Sequence, residues 1–224
     1  RQQLIDELKD QTQKGSCKLK VANNDFYWPC DYLSWIVYTS IGEVVSAARI
    51  VMDWLQEAAR IASQDGMPIN WVTPAGLPVL QAYRKTLGKR IECLIEGRKV
   101  KTTLQVPTKV IDTRRQAQGI APNFVHSMDA SHLMLTVNEA VSRGVTSFAM
   151  VHDSYATHAA DSDTLAQTLR ETFVRQYQTH DVLDEFRQQI VNQIDPKLAA
   201  EIPPVPEKGN LDLNLVKSSM YFFA

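Results

Sequence analysis

One short stretch of the sequence combines residue types that could carry chemistry. In FAMVHDSYATHAADS, residues 148–162, the ionisable pair His152 and Asp153 ends an apolar run and precedes alternating Tyr155 and Thr157. Alternation on both sides predicts a β-hairpin whose tight turn carries the pair. When two metal ions assist a phosphoryl reaction, the ligands of Mg²⁺ must be held in fixed positions. A rigid turn can hold an aspartate in this way. On this interpretation, Asp153 would be a Mg²⁺ ligand in a phosphoryl-transfer site.

Two other interpretations of this stretch remain open on the residues alone. An aspartate in a turn commonly hydrogen-bonds its own backbone, and no second carboxylate is evident at a strand end to complete a two-metal site. An HD-type metal-dependent phosphohydrolase would instead gather a wider set of ligands around a metal: His126, Asp129, His152, Asp153 and His158. That class places its His-Asp pair on a helix, whereas the sequence on both sides of the pair is patterned as strand.

A basic segment is the second candidate functional feature. Residues 84–115 contain ten basic and three acidic residues, whereas the rest of the chain contains 14 basic and 22 acidic ones. Within it, KRIECLIEGRKVKTTLQV (89–106) alternates polar with apolar residues around a Glu96-Gly97-Arg98 tip, which predicts a two-stranded ribbon. Such a ribbon fits the major groove of DNA. A solvated hairpin surface is the alternative, and a DNA-binding module without chemistry is a further hypothesis.

The remaining patterns predict the elements that position these features. Apolar spacing predicts one amphipathic helix over 34–62, with a core-facing stripe formed by Ile41, Val45, Ala48, Met52, Leu55 and Ala59. INWVTPAGLPVLQAY (69–83) predicts a strand, a turn and a strand. A helix is predicted over 119–144, with Pro122 in its first turn and Gly144 just past its end. Two more helices are predicted over 163–179 and 181–194, followed by a proline-rich connector.

Two histidines of the predicted 119–144 helix receive different interpretations. His132 is expected to be a hydrogen-bonded structural residue, because that is the usual role of a single helical histidine. His126 lies on a more polar sector and stays open to a functional role. Phe124 and Met128 are expected in the core.

Composition sets the broad class. The chain has 224 residues, of which 44% are hydrophobic and 22% charged, as in a soluble globular protein with one or two cores. Its three cysteines have no paired or metal-type spacing, which favours structural thiols in a reducing compartment. Charged residues interrupt the longest apolar stretch, so no membrane span is expected. The first residues read as helix and carry no initiator methionine, which indicates a chain cut from something longer.

Several motifs occur together in a specific order. They are RQQLIDEL, WVTPAGLPV, GIAPNFVHSMDASHL, MVHDSYATHAAD and the terminal GNLDL followed by YFFA. With the basic ribbon ahead of the last three, this set resembles the C-terminal part of single-subunit, bacteriophage-type DNA-dependent RNA polymerases. The resemblance covers essentially the whole chain.

The resemblance implies an α+β fold that is a fragment of the right-hand polymerase fold. Residues 1–126 would form a portion of the fingers, with helices and a β-ribbon that is the specificity loop, at about 84–115. Residues 127–224 would form the second half of the palm, with its β-hairpin, flanking helices and a C-terminal extension.

The resemblance also implies roles for individual residues. Asp153 would be one of two palm aspartates that bind two catalytic Mg²⁺ ions, with His152 beside it, and His126 would lie near the minor groove of the growing hybrid. The ribbon would enter the major groove of promoter DNA. The candidates for reading bases are Arg90, Glu92 and Arg98, near Val100 and Thr102, and the candidates for phosphate contact are Lys89, Lys99 and Lys101. Glu92 could instead pair with a neighbouring lysine.

The implied reaction is template-directed nucleotidyl transfer. Its partners would be double-stranded promoter DNA, a template strand, nascent RNA and nucleoside triphosphates, with no membrane. The family's other metal aspartate and its nucleotide-binding lysine and tyrosine would lie upstream of Arg1. We therefore expect a C-terminal fragment or split portion, inactive alone, whose upstream part is in the same or a separate chain. The expected location is the cytoplasm of a phage-infected bacterium, with the mitochondrial matrix or another organelle as the alternative.

Overall fold

The computed structural model describes residues 2–14, 25–151 and 154–222. His152 and Asp153, the predicted catalytic pair, lie outside the described residues, and so does Cys17. The described helices are α1 (Gln2–Gln13), α2 (Tyr27–Val44), α3 (Ser46–Ala62), α4 (Thr113–Ser142), α5 (Ser162–Thr179), α6 (Val182–Val191), α7 (Pro196–Glu201) and α8 (Leu215–Ser218). The described strands are β1 (Ile69–Val72), β2 (Pro78–Gln81), β3 (Arg84–Ile95), β4 (Arg98–Ile111), β5 (Ala149–Val151) and β6 (Ser154–Ala156).

The strands form three separate antiparallel pairs, β1–β2, β3–β4 and β5–β6. Helices and small antiparallel sheets together make an α+β fold, as expected. The chain divides into two compact units, Arg1–Val51 and Met52–Ala224. The boundary expected between residues 126 and 127 falls inside α4, which is continuous there. The division into fingers and palm portions therefore stays a prediction about family subdomains.

The first unit has a small core between α1 and α2. Ile5, Phe26 and Cys30 are buried together, with Leu8 packed against them. The rest of α2 is apolar on most sides, which leaves a row of aromatic residues exposed: Trp28, Tyr32, Trp35 and Tyr38. No single helix among the described residues is long and apolar enough to cross a membrane, and only the bent pair Tyr27–Val44 and Ser46–Asp65 meets that test jointly.

The prediction of one helix over 34–62 was wrong, because the helix is interrupted at Val45. The backbone of Val45 has φ −109° and ψ 52°, outside the helical region. The predicted core stripe divides accordingly: Leu55 and Ala59 are buried, whereas Ile41 and Val45 are exposed.

The second unit is organised around four aromatic residues from four elements. Trp54, Trp71, Phe124 and Phe186 contact one another with ring centroids 4.8–6.3 Å apart. Trp71 is buried, and its indole Nε1–H donates to Ser127 Oγ at 2.9 Å. Because a buried indole N–H needs an acceptor, this bond fixes β1 against α4.

The predicted strand-turn-strand is confirmed as β1 and β2. Ile69 pairs with Gln81, and Gly76 takes a positive φ of 81° in the turn. The outer edge of β1 is covered by two glutamines of α6. Gln189 bonds the backbone N–H and C=O of Val72, and Gln193 does the same at Asn70. These amides satisfy an edge that would otherwise present unpaired backbone groups.

Helix α4 begins earlier than predicted. Asp112 caps its start by accepting a hydrogen bond from Arg115 N at 3.1 Å, so the helix includes residues 113–118. Pro122 consequently lies inside the helix and not in its first turn. Its end agrees with prediction: Gly144 follows the last turn with φ +91°. The two predicted helices that come later are confirmed as α5 and α6.

Candidate catalytic hairpin and nucleic-acid interface

The predicted hairpin around residue 153 is present as β5 and β6. Its register pairs Ala149 with Ala156, Met150 with Tyr155 and Val151 with Ser154. His152 and Asp153 connect the last of these pairs in sequence and lie outside the described residues. The strands on either side agree with the predicted alternation.

The two faces of this hairpin differ. Met150 and Tyr155 lie opposite each other and are half-buried against a small core of Ala140, Val145 and Leu165. The flanking positions on both strands are exposed. A cleft of about 520 Å³ runs along β6, between it, α5 and Phe222. One face of the hairpin is therefore anchored to the body of the unit, and the other is exposed.

His132 is the central polar residue beneath the hairpin. It is 3% exposed, and its Nε2 lies 3.0 Å from the carbonyl oxygen of Leu169 on α5. Its Nδ1 lies 3.4 Å from the hydroxyl of Tyr155 on β6. Burial lowers the pKa of His132, more than its contact with the Leu169 carbonyl and the charge of Asp129 raise it. The geometry agrees with the structural role expected for this residue.

Helices α4 and α5 are joined by further polar contacts near His132. Thr136 and Thr172 are fully buried, and their hydroxyl oxygens are 2.8 Å apart. Closer to the surface, Glu139 contacts Arg143 and Arg175, and Arg143 also contacts Glu171. These arginines lower the pKa of Glu139 through hydrogen bonds. The layer under the hairpin is therefore held by both buried and surface bonds.

His126 differs from His132 in its surroundings. It lies on α4 next to the buried residues Ser127 and Met128, but it is itself exposed. It makes no side-chain hydrogen bond or ion pair with the residues that the structure describes. The interpretation of His126 as a structural histidine has no support in this geometry, and its predicted nucleic-acid role stays a prediction.

The basic ribbon is confirmed as β3 and β4, joined at Glu96 and Gly97, both with positive φ. Its register pairs Arg90 with Thr103, Glu92 with Lys101 and Leu94 with Lys99. Paired residues share a face, and successive residues alternate between faces. The ribbon therefore has a polar face that contains Arg90, Glu92, Thr103, Lys99 and Lys101.

The opposite face of the ribbon is mainly apolar. It contains Leu87, Ile91, Cys93, Val100, Leu104 and Val106. Two predicted site residues also fall here, because Lys89 pairs with Leu104 and Arg98 pairs with Ile95. The register therefore separates Arg98 from Arg90, although both had been proposed to read bases. Arg114 and Arg115, counted with the basic segment, belong to α4.

Glu92 already has a partner on the polar face. Its carboxylate lies 3.1 Å from Lys101 Nζ, and both side chains are largely exposed. An exposed pair of this kind contributes about 0–1 kcal/mol, so a competing ligand displaces it easily. Lys99 makes no ion pair with a described residue.

A cluster of amides holds the base of the ribbon to α4. Gln81 and Gln116 are buried and exchange hydrogen bonds, and Gln116 Oε1 also accepts from Tyr83 N at 3.2 Å. Asn123 donates to the Tyr83 hydroxyl at 3.1 Å. A Cβ added to Gly119 would lie 2.5 Å from the Tyr83 ring. This cluster, which the sequence did not indicate, fixes where the ribbon leaves the body.

The described residues do not assemble a metal site of their own. No group of three or more His, Cys, Asp or Glu side chains lies close enough to hold an ion within residues 2–14, 25–151 and 154–222. His126, Asp129 and His158, the described part of the ligand set expected for an HD-type hydrolase, therefore do not form such a group.

Comparisons with known proteins decide the family. A family model described as DNA-dependent RNA polymerase matches residues 1–201. The chain belongs to this family. Among its relatives are phage and organellar enzymes, which confirms the resemblance to phage-type polymerases.

Three of the DNA-dependent RNA polymerases most similar to the chain illustrate the range. DNA-directed RNA polymerase 1, mitochondrial, of Nicotiana sylvestris is 41% identical over 209 residues, which cover 90% of this chain and 19% of the relative. DNA-directed RNA polymerase 2A of Nicotiana tabacum is 39% identical over 201 residues, which cover 90% of this chain and 58% of the relative. The DNA-directed RNA polymerase of Enterobacteria phage T3 is 36% identical over 208 residues, which cover 86% of this chain and 24% of the relative. The chain thus spans about a fifth of the mitochondrial relative's length.

Proposed function

We propose that this chain supplies part of the catalytic and promoter-reading machinery of a phage-type DNA-dependent RNA polymerase. The observation that carries the proposal is the register of β5 and β6, which pairs Val151 with Ser154 and leaves only His152 and Asp153 to connect them. Two-residue loops are the commonest connections of β-hairpins. Membership of the polymerase family supports reading that connection as part of the palm.

In this proposal Asp153 is a metal ligand, and His152 lies beside it in the active site. A carboxylate suits Mg²⁺, but the described residues offer no companion set of ligands. The resemblance assigns the second aspartate to the remainder of the polymerase, in the same or a separate chain. Two Mg²⁺ ions held there would supply the positive charge that phosphoryl transfer requires. The chain itself supplies the carboxylate, and β5 and β6 flank it in the sequence.

The reaction is nucleotidyl transfer from nucleoside triphosphates to a growing RNA, directed by a template DNA strand. The 3′-hydroxyl attacks the α-phosphate, and pyrophosphate leaves. Exposed His126, on the helix that underlies the hairpin, is the candidate for contact with the minor groove of the RNA–DNA hybrid. The chain alone is expected to be inactive, because it holds one of the two metal aspartates.

The ribbon is the proposed promoter reader, and its polar face is the side that meets DNA. Arg90 is suited to bond a guanine edge through two N–H groups, while Lys99 is suited to phosphate. Glu92 could accept from a cytosine amino group after releasing Lys101. The apolar face, which also carries Lys89 and Arg98, is left for contacts within the polymerase.

The proposed function also includes a subdomain assignment and a cellular location for the chain. Residues 1–126 are assigned to the fingers and 127–224 to the palm of a right-hand polymerase. The relatives are named as phage, mitochondrial and chloroplastic enzymes, which is compatible with either a phage-infected bacterium or an organelle.

The alternative functions have less support. An HD-type hydrolase would carry its pair on a helix, whereas β5 and β6 flank residues 152–153. A DNA-binding module without chemistry is supported by the exposed basic ribbon alone. It differs from the proposal in predicting that no substitution in the hairpin affects RNA synthesis.

Replacing Asp153 by asparagine in the polymerase tests the proposal. The amide keeps the shape but removes the charge that binds the ion, so elongation should fall on the order of a thousandfold or more, several kcal/mol in barrier. Promoter binding should stay within twofold of wild type, about 0.4 kcal/mol, because the ribbon is a separate element. Asp163→Asn, an exposed aspartate at the start of α5, is the matched control and should behave as wild type. Normal RNA synthesis by Asp153→Asn would remove this residue from the metal site.

A further inference from the structure

The β5–β6 hairpin requires an external anchor. It has only three pairs of residues, and an isolated two-stranded hairpin is marginally stable at best. Of its described side chains, only Met150 and Tyr155 face the body of the protein. The Met150 side chain contributes packing, so the only directional bond available from this face is that of the Tyr155 hydroxyl.

His132 is a rigid partner for that hydroxyl. Its Nε2 lies 3.0 Å from the Leu169 carbonyl oxygen and 3.2 Å from Thr172 Oγ1, both on α5. The ring of Phe173 packs edge-on against the imidazole at 5.5 Å. A buried imidazole held from three sides cannot follow a moving hairpin, so it fixes whatever bonds to its other nitrogen.

The hydrogen-bond directions follow from the partners. A carbonyl oxygen only accepts, so Nε2 of His132 carries the hydrogen and donates to Leu169. Nδ1 is then an acceptor, and the Tyr155 hydroxyl at 3.4 Å donates to it. Burial, which lowers the pKa of His132 despite the nearby charge of Asp129, keeps the imidazole in this neutral form.

We propose that Tyr155 and His132 form a positioning pair that holds the metal-binding hairpin in register with the α4–α5 layer. Tyr155 follows Asp153 by two residues on the same hairpin, so the bond restrains the strand that leaves the catalytic turn. The pair does not contact substrate. Its relevance to catalysis rests on the proposed function, whereas its effect on the hairpin does not.

Amide hydrogen exchange in the 224-residue chain tests the pair directly. Tyr155→Phe removes the hydroxyl and keeps the ring, so exchange of residues 148–157 should become about fivefold faster, as for the loss of one hydrogen bond. The melting temperature should change little. Tyr177→Phe is the matched control, because it removes the hydroxyl of a half-buried tyrosine of α5, an element outside the hairpin; its exchange in this segment should equal that of wild type.

A double-mutant cycle separates this bond from a general loss of packing. The amide of His132→Gln can still donate to Leu169 but has no acceptor at the Nδ1 position. It should therefore accelerate exchange as Tyr155→Phe does, and the double variant should exchange no faster than either single one. Fully additive effects, or a Tyr155→Phe variant that matches Tyr177→Phe, would overturn the proposal.

The polymerase provides the catalytic measurement. Tyr155→Phe should raise the Mg²⁺ concentration needed for half-maximal elongation on the order of tenfold, because residues that orient a metal ligand contribute about that much to metal affinity. Its promoter affinity should be unchanged. If Asp153→Asn is inactive but Tyr155→Phe needs no more Mg²⁺ than Tyr177→Phe, the positioning pair is wrong and the proposed function stands. If exchange changes as expected but Asp153→Asn remains active, the proposed function fails and the bond between Tyr155 and His132 stands.

Discussion

Replacing Lys99 by alanine tests which face of the ribbon meets DNA. Lys99 pairs with Leu94 on the polar face, is exposed and has no ion-pair partner among the described residues. If its ammonium contacts a phosphate, its loss should lower the slope of log K against log salt by about 0.9. Over a fourfold range of salt, about 50 to 200 mM, this slope difference changes the affinity of the variant relative to wild type about 3.5-fold.

Lys89→Ala is the matched control for that measurement. It removes the same charge from the same ribbon, but Lys89 lies on the apolar face opposite Leu104. Its salt slope should equal that of wild type. Binding would be followed by fluorescence anisotropy with a promoter duplex and a scrambled duplex, and Lys99→Ala should weaken both equally because phosphate contacts carry no sequence information. If both lysine variants lower the salt slope equally, the assignment of the polar face to DNA is wrong. The ribbon would then attract DNA by charge without a preferred face.

Three further predictions concern base reading, the hybrid and pH. Arg90→Ala should relax preference at a single promoter position by about 1–3 kcal/mol, whereas Arg98→Ala on the opposite face should leave the preferences unchanged; a scan of single-base promoter variants decides, and relaxation by Arg98→Ala alone would reverse the assignment. His126→Ala should raise misincorporation without a change in melting temperature, because His126 is exposed; a lower melting temperature with unchanged fidelity would make it structural. Because burial lowers the pKa of His132 in the folded chain, the unfolded chain binds that proton more readily, so the free energy of unfolding should be greatest above about pH 6.5 and fall as the pH drops below it. Urea unfolding of His132→Gln should show a flatter profile, and an unchanged profile would contradict the role of His132.

The features that the sequence predicted well are local. The ribbon and the β5–β6 hairpin follow from alternation over adjacent residues, and Gly144 marks a helix end because a positive φ favours glycine there. The family could also be recognised, since several short motifs occur in order. These signals depend on neighbours in the chain and need no knowledge of tertiary contacts.

The features that the sequence did not predict depend on contacts between distant residues or on competing local signals. Alternation located the ribbon, but only the register assigns Arg90 and Arg98 to opposite faces. Pro122 suggested that the helix starts near residue 119. The structure shows instead that Asp112 caps the helix and that its first residue is Thr113. The contact of Tyr155 with His132 joins residues 23 apart, and neither side chain alone signals it.

The proposed function depends most on Asp153 as a metal ligand, and a thiolate in its place tests that role most directly. Thiolates bind Mg²⁺ poorly and accept softer ions better than carboxylates do. Single-nucleotide addition should be measured on a preassembled template and primer, with Mg²⁺ and then Mn²⁺, for wild type and Asp153→Cys. If Asp153 is a metal ligand, Asp153→Cys should add no nucleotide with Mg²⁺ and should recover in part with Mn²⁺. Addition at the wild-type rate by Asp153→Cys with Mg²⁺ alone would contradict it.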